Sequence, residues 1–213
     1  MPIHRDAQHW CELVGARTPV DERERESIEK FLSLVPILTD PFNEHADLVH
    51  ITASAIVVSD AGDKVALHMH KRLNMWLQPG GHIEAGETAA QGALREAEEE
   101  IGLPVRHESD GGVFVHVDVH AGPKGHTHLD LRYVVRAPDV APAPAEGESQ
   151  LVQWFSWDEA EAIADVGLLG GLRATKALLG IAPLSIRTYV RIELRGGVQQ
   201  SGNAVARIRS ASV

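Results

Sequence analysis

One cysteine, Cys11, is all that this chain of 213 residues contains. That excludes an internal disulfide framework and any Cys-based zinc site. No apolar run reaches the roughly 18 residues a membrane-spanning helix needs, and Met1 to Trp10 lack the apolar core of a signal peptide. A cytoplasmic protein with no membrane partner is the expectation. Basic charge is also short, with 20 Lys and Arg against 30 Asp and Glu, a formal net charge of −10 and a pI near 5.6. A balance of that sign leaves no general nucleic-acid footprint, so no nucleic-acid partner is expected. Internal repeats are absent as well. The length suits one domain with extensions and allows a sizeable core.

What is present is concentrated between Pro79 and Leu103, where a glycine-rich loop feeds a short acidic helix. Thr88 and Gln91 have the spacing of a capping box. Gly102 and then Pro104 supply the stop. On a helical wheel Ala90, Ala93, Leu94, Ala97 and Ile101 share a core-facing stripe. Glu96, Glu99 and Glu100 share the opposite side, and Glu98 points off the cluster into solvent. A wet helix face could carry such charge, but like charges one turn apart each cost roughly 0.2–0.5 kcal/mol. Carboxylates near a helix C-terminus add about 0.3–1 kcal/mol each. No Lys relieves them, so a cation is expected to do so. Carboxylate oxygens suit Mg²⁺ or Mn²⁺ better than Zn²⁺.

Gly81, five residues, Glu87, seven residues, then Arg95-Glu96-Ala97-Glu98-Glu99-Glu100-Ile101-Gly102-Leu103 fills every specified position of a known pattern. The stretch resembles the Nudix box of the Nudix hydrolases. The resemblance implies a Nudix-like α/β/α sandwich with a mixed sheet. It also implies hydrolysis of a pyrophosphate bond in a nucleoside diphosphate linked to another moiety, a nucleotide or nucleotide-sugar type of substrate. Carried over, Glu96 and Glu100 are metal ligands, and Glu99 is a further ligand or the base that positions water. The backbone carbonyl near Gly80 completes the shell, and Arg95 pairs with Glu87 to fix the loop. Glu146 and Glu148 form the fallback base, since some family members use a loop Glu past the sheet.

Around the box, 1–48 reads as an N-terminal helical extension, 49–182 as the hydrolase domain, and 183–213 as a tail, either a hairpin or disordered. The extension offers simple packing, a cover for the cleft or a homodimer contact, with packing favoured. Ile51 to Ser59 and Val65 to Met69 read as strands around an Asp60–Asp63 turn. Residues 113–119 and 126–135 alternate in the manner of half-buried strands with a polar face. Leu151 to Trp157 is a last strand. Ala162–Leu169 and Leu172–Leu179 read as helices separated by Gly170-Gly171.

Gly81, His82, His70, Arg72 and His128 are the candidates for touching substrate. Twelve histidines also raise a second metal or proton-transfer site at His116, His120, His126 and His128. A polar cleft wall or plain surface is preferred, because two-residue alternation produces such clusters cheaply. Val119 stands where the ADP-ribose subgroup tends to have Pro, and the Tyr of the diadenosine-polyphosphate subgroup is missing, so the substrate stays open. Two other classes compete. A non-catalytic nucleotide-binding regulator on this fold would have lost its carboxylates, and all remain. An enzyme like the isopentenyl-diphosphate isomerases needs an active-site Cys, whereas Cys11 lies in the extension.

Overall fold

The computed structural model describes residues 6–181; the tail expected from Pro183 lies outside them. Strand β1 (Val49–Ser59) is the spine of a seven-stranded mixed sheet. It runs parallel to β6 (Thr127–Ala137) over its whole length. Its other edge is shared by β4 (Gly80–His82) and β2 (Lys64–His70), both antiparallel. Outside these lie β3 (Met75–Leu77) and β7 (Val152–Ser156) on β2, and β5 (Val113–Ala121) on β6. Strict alternation along β1 serves two cores. Ala53, Ala55 and Val57 face the box helix α3 (Ala89–Ile101), while Ile56 and Val58 face α4 (Trp157–Ile163) and α5 (Val166–Leu178).

The helices α1 (Ala7–Gly15) and α2 (Glu22–Leu34) place Trp10, Val14 and Phe31 in the same core as α3. Along the outer edge of β5, the buried Glu24 carboxylate accepts from the Val117 N–H at 3.3 Å and the Ser27 hydroxyl from the Val119 N–H at 3.0 Å. Arg17 donates to the Val115 carbonyl and to Glu24. Unpaired strand groups that would template another chain are thereby satisfied from within.

Two details of this framework differ from expectation. The polar faces of β5 and β6 do wall the cleft, through Asp118, His120, His128, Asp130 and Arg132, but they are not plain surface: His116, Asp118, Asp130 and Arg132 are all buried. Burial of the two aspartates and Arg132 is tolerable because Arg132 Nε donates to Asp130 at 3.0 Å, and both Arg132 and Arg23 donate to Asp118. The Gly170-Gly171 pair lies inside α5 rather than between helices. The break falls at Ala164–Asp165, where the Asp165 carboxylate caps the Leu168 N–H. A Cβ at Gly170 would stand 2.6 Å from His116 Nε2, so glycine serves close helix–sheet approach here.

Candidate active site

The box helix forms as its punctuation predicts. Thr88 and Gln91 make both hydrogen bonds of the capping box, and Gly102 ends the helix in the left-handed region at φ 68°. Ala90, Ala93, Ala97 and Ile101 are buried, whereas Leu94 is only half-buried at the edge of the core, against expectation. Glu98 is exposed.

Glu96 and Glu100 are sunk to 17% and 16% side-chain exposure, and Glu99 stands out at 51%. Glu100 Oε2 accepts the Gly80 N–H at 2.9 Å. A Cβ on Gly81 would lie 2.5 Å from Glu96 Oε1, so only glycine lets the loop meet the carboxylate. Arg95 is the clamp of the group. It donates to both Glu87 oxygens at 2.8 and 3.1 Å, to Glu96 at 2.9 Å, and to the His82 carbonyl at 2.8 Å. A longer contact reaches Glu99 at 3.4 Å.

The electrostatics are unbalanced despite Arg95. Burial pushes the Glu100 carboxyl up to about 8, with the charges of Glu96, Glu148 and Glu99 adding to the rise against the Gly80 hydrogen bond. Burial raises Glu96 too, and Arg95 offsets only part of that. Two half-buried carboxylates held toward a glycine backbone and pushed toward protonation fit a hard divalent cation.

Glu148 is half-buried and close enough for its charge to act on both Glu96 and Glu100, while Glu146 is exposed on the loop. That loop is docked on the helix end, with the Ala145 N–H donating to the Glu99 carbonyl at 3.1 Å.

Gly80, Gly81 and Glu100 open onto a cleft of about 570 Å³, which His70, Arg72 and His128 also line. His82 does not line it; its ring faces a neighbouring hollow beside Glu44 and His126. Asp130 and His68, which alternation places on polar strand faces, also line the cleft. Asp130, on the floor, accepts from Ser54 at 2.7 Å and Thr52 at 3.2 Å. His68 is buried with Nδ1 3.7 Å from Glu100. Period-two alternation marked Asp130 as polar, but nothing local signals its partners 76 and 78 positions away.

The four-histidine site raised as the alternative does not assemble. His116 is buried against Gly170, away from the rest. His120 and His128 have ring centres 5.4 Å apart across the β5–β6 register, and His126 is 5.1 Å from His50. Cys11 is half-buried on α1 against the core, outside the cleft lining.

Residues 49–169 match the family model described as the NUDIX domain. The phosphatase NudJ of Escherichia coli K12 is 24% identical over 111 residues, 52% of this chain and 70% of that protein. A NUDIX-family hydrolase from Clostridium perfringens is 28% identical, with a TM-score of 0.54 over 61% of this chain and 97% of that one. The Ap4A hydrolase of C. elegans, in a binary complex, shares the fold at 22% identity and a TM-score of 0.51, covering 61% and 97% of the two chains. With the box assembled at the cleft and the family model covering more than half its length, this chain is a hydrolase of the Nudix family.

Proposed function

We propose that the chain hydrolyses the pyrophosphate bond of a nucleoside diphosphate linked to another moiety, and that it needs Mg²⁺ or Mn²⁺ to do so. The observation that carries this reading is the pair Glu96 and Glu100, half-buried side by side against Gly80 and Gly81 and pushed upward by desolvation and by neighbouring carboxylates. Those two carboxylates, the Gly80 carbonyl and Glu99 are the groups that would hold the ion. A divalent ion there supplies charge neutralisation on phosphoryl oxygens and lowers the pKa of water.

The remaining work falls to the chain itself. Arg95 and Glu87 hold the loop in register with α3, so the glycine backbone can approach the polyphosphate. Arg72, His70 and Lys124 line the cleft and offer donors to phosphate oxygens. Water attacks one phosphorus of the pyrophosphate, a carboxylate takes the water's proton, and the bridging P–O bond breaks so that the other phosphate leaves with its electron pair. Glu99 and Glu148 are the two candidates for that role: Glu99 is more open and linked to Arg95, while Glu148 is acidic charge on a docked loop beside the ligands. The naming of NudJ as a phosphatase and of the worm protein as an Ap4A hydrolase agrees with a phosphorus-centred hydrolysis. The complete carboxylate set speaks against a purely binding role.

The test is product release across a panel of nucleoside diphosphate derivatives with Mg²⁺ or Mn²⁺. Turnover should vanish in excess chelator and return with metal. Undiminished turnover on the best substrate in chelator would overturn the reading. For the base, Glu99→Gln and Glu148→Gln are compared: the one that abolishes turnover marks it, and full activity in both removes the two candidates.

A further inference from the structure

Beside the box, outside its carboxylates, three histidines from three strands converge. The parallel register of β1 and β6 sets His50 beside His128, and the antiparallel register of β1 and β4 sets His82 opposite Thr52. One ring nitrogen from each of the three lies within 4.8 Å of the other two. Their Nε2 atoms are all buried without a hydrogen bond, that of His82 having only an ion-pair contact to Glu44. An orphaned buried polar atom typically costs about 1–3 kcal/mol, and three in one place are unexplained by packing.

We propose that His50, His82 and His128 form a second metal site, separate from the Nudix carboxylates, that takes Zn²⁺ or a similar imidazole-preferring ion. Ligand chemistry separates the two sites: neutral imidazoles favour Zn²⁺ over Mg²⁺, and the oxygen cluster on α3 has the opposite preference. Tetrahedral ligands at about 2.0–2.1 Å from zinc stand roughly 3.3 Å apart, so modest ring rotations close the triad. His50 is wholly buried, and its Nδ1 lies 3.4 Å from the Asp47 carbonyl. A hydrogen bond there fixes the tautomer that leaves Nε2 free, the outer support that ligating histidines commonly have. A Glu44 carboxylate oxygen 3.3 Å from His82 Nε2 provides a carboxylate at the open side.

The experiment reads metal content rather than hydrolysis, so it stands or falls apart from the proposed reaction. The full chain is loaded with Zn²⁺, dialysed against millimolar Mg²⁺ and assayed for retained zinc; Co²⁺ loading then reports four-coordinate geometry by visible absorption. Wild type should retain a single zinc, and a Glu96→Gln/Glu100→Gln double variant should retain it equally. His128→Gln and His82→Gln should each weaken zinc binding by at least the roughly 10–100-fold that loss of an outer-shell partner costs. Should His128→Gln fail to fold, His82→Gln, at a position 37% exposed, decides the matter alone. No retained zinc in wild type, equal retention in the folded His variants, or loss in the double Glu variant would each overturn the proposal.

Discussion

At the scale of single residues, the proposed role of Glu100 and its stability cost lie in the same atoms. Its carboxyl ionises near pH 8 in the metal-free fold, against a reference of 4.5. Between those values the unfolded chain has lost the proton and the folded chain keeps it. Stability of the metal-free protein should therefore be fullest below about pH 4.5 and fall as pH rises through about 8, by an amount on the order of a few kcal/mol for this group. Glu100→Gln, which keeps a carbonyl for the Gly80 N–H, should flatten that part of the profile and match or exceed wild type in the alkaline arm. The same change should lower turnover ~10²–10³-fold, whereas Glu98→Gln, at an exposed position, should leave it nearly intact. Thermal melts in chelator across pH, paired with turnover in Mg²⁺, check this. A Glu100→Gln protein with wild-type turnover, or one less stable at every pH, would mark the carboxylate as a structural ion-pair member.

Secondary-structure elements divide into those whose causes are local and those whose causes are not. The α3 helix could be read from the sequence because its caps, apolar stripe and stop all lie within about four turns of chain. The acids and Arg95 could be read for the same reason. By contrast, the burial of Asp118 and His116 depends on Arg23, 95 positions before Asp118, and on the approach of α5. Alternation shows that a residue differs from its neighbours, not whether a distant helix covers it. The packing expected of the extension says nothing of its contacts, since Glu24 is buried against the edge of β5, far along the chain. Glu24→Ala removes the acceptor for Arg17, the Val20 N–H and the Val117 N–H together. It should cost on the order of 3 kcal/mol and raise the tendency of β5 to pair with other chains. Urea melts and light scattering test this; a variant as stable and as monodisperse as wild type would show that the edge needs no cover.

For the molecule as a whole, the proposed reaction requires drawing a polyanionic substrate to a protein with a net charge of −10. The bulk field repels such a ligand, and the Nudix acids add to the repulsion. What opposes it is local: Arg72, His70 and Lys124 lie on the cleft wall, while Arg23 and Arg132 beneath are already committed to Asp118 and Asp130. Arg72 makes no part of the carboxylate clamp, and it is exposed. Its contribution should therefore be to substrate capture rather than to the chemical step. Arg72→Ala should raise KM by about tenfold, one lost charge-assisted contact of ~1.5 kcal/mol, with kcat little changed. Exposed attraction of this kind weakens once salt shortens the screening length to about 8–10 Å. Added salt should consequently raise KM more steeply in wild type than in Arg72→Ala, and the two curves should converge. Parallel salt curves, or a loss confined to kcat, would assign Arg72 to the transition state instead and leave the binding of the polyphosphate to the metal and the glycine backbone.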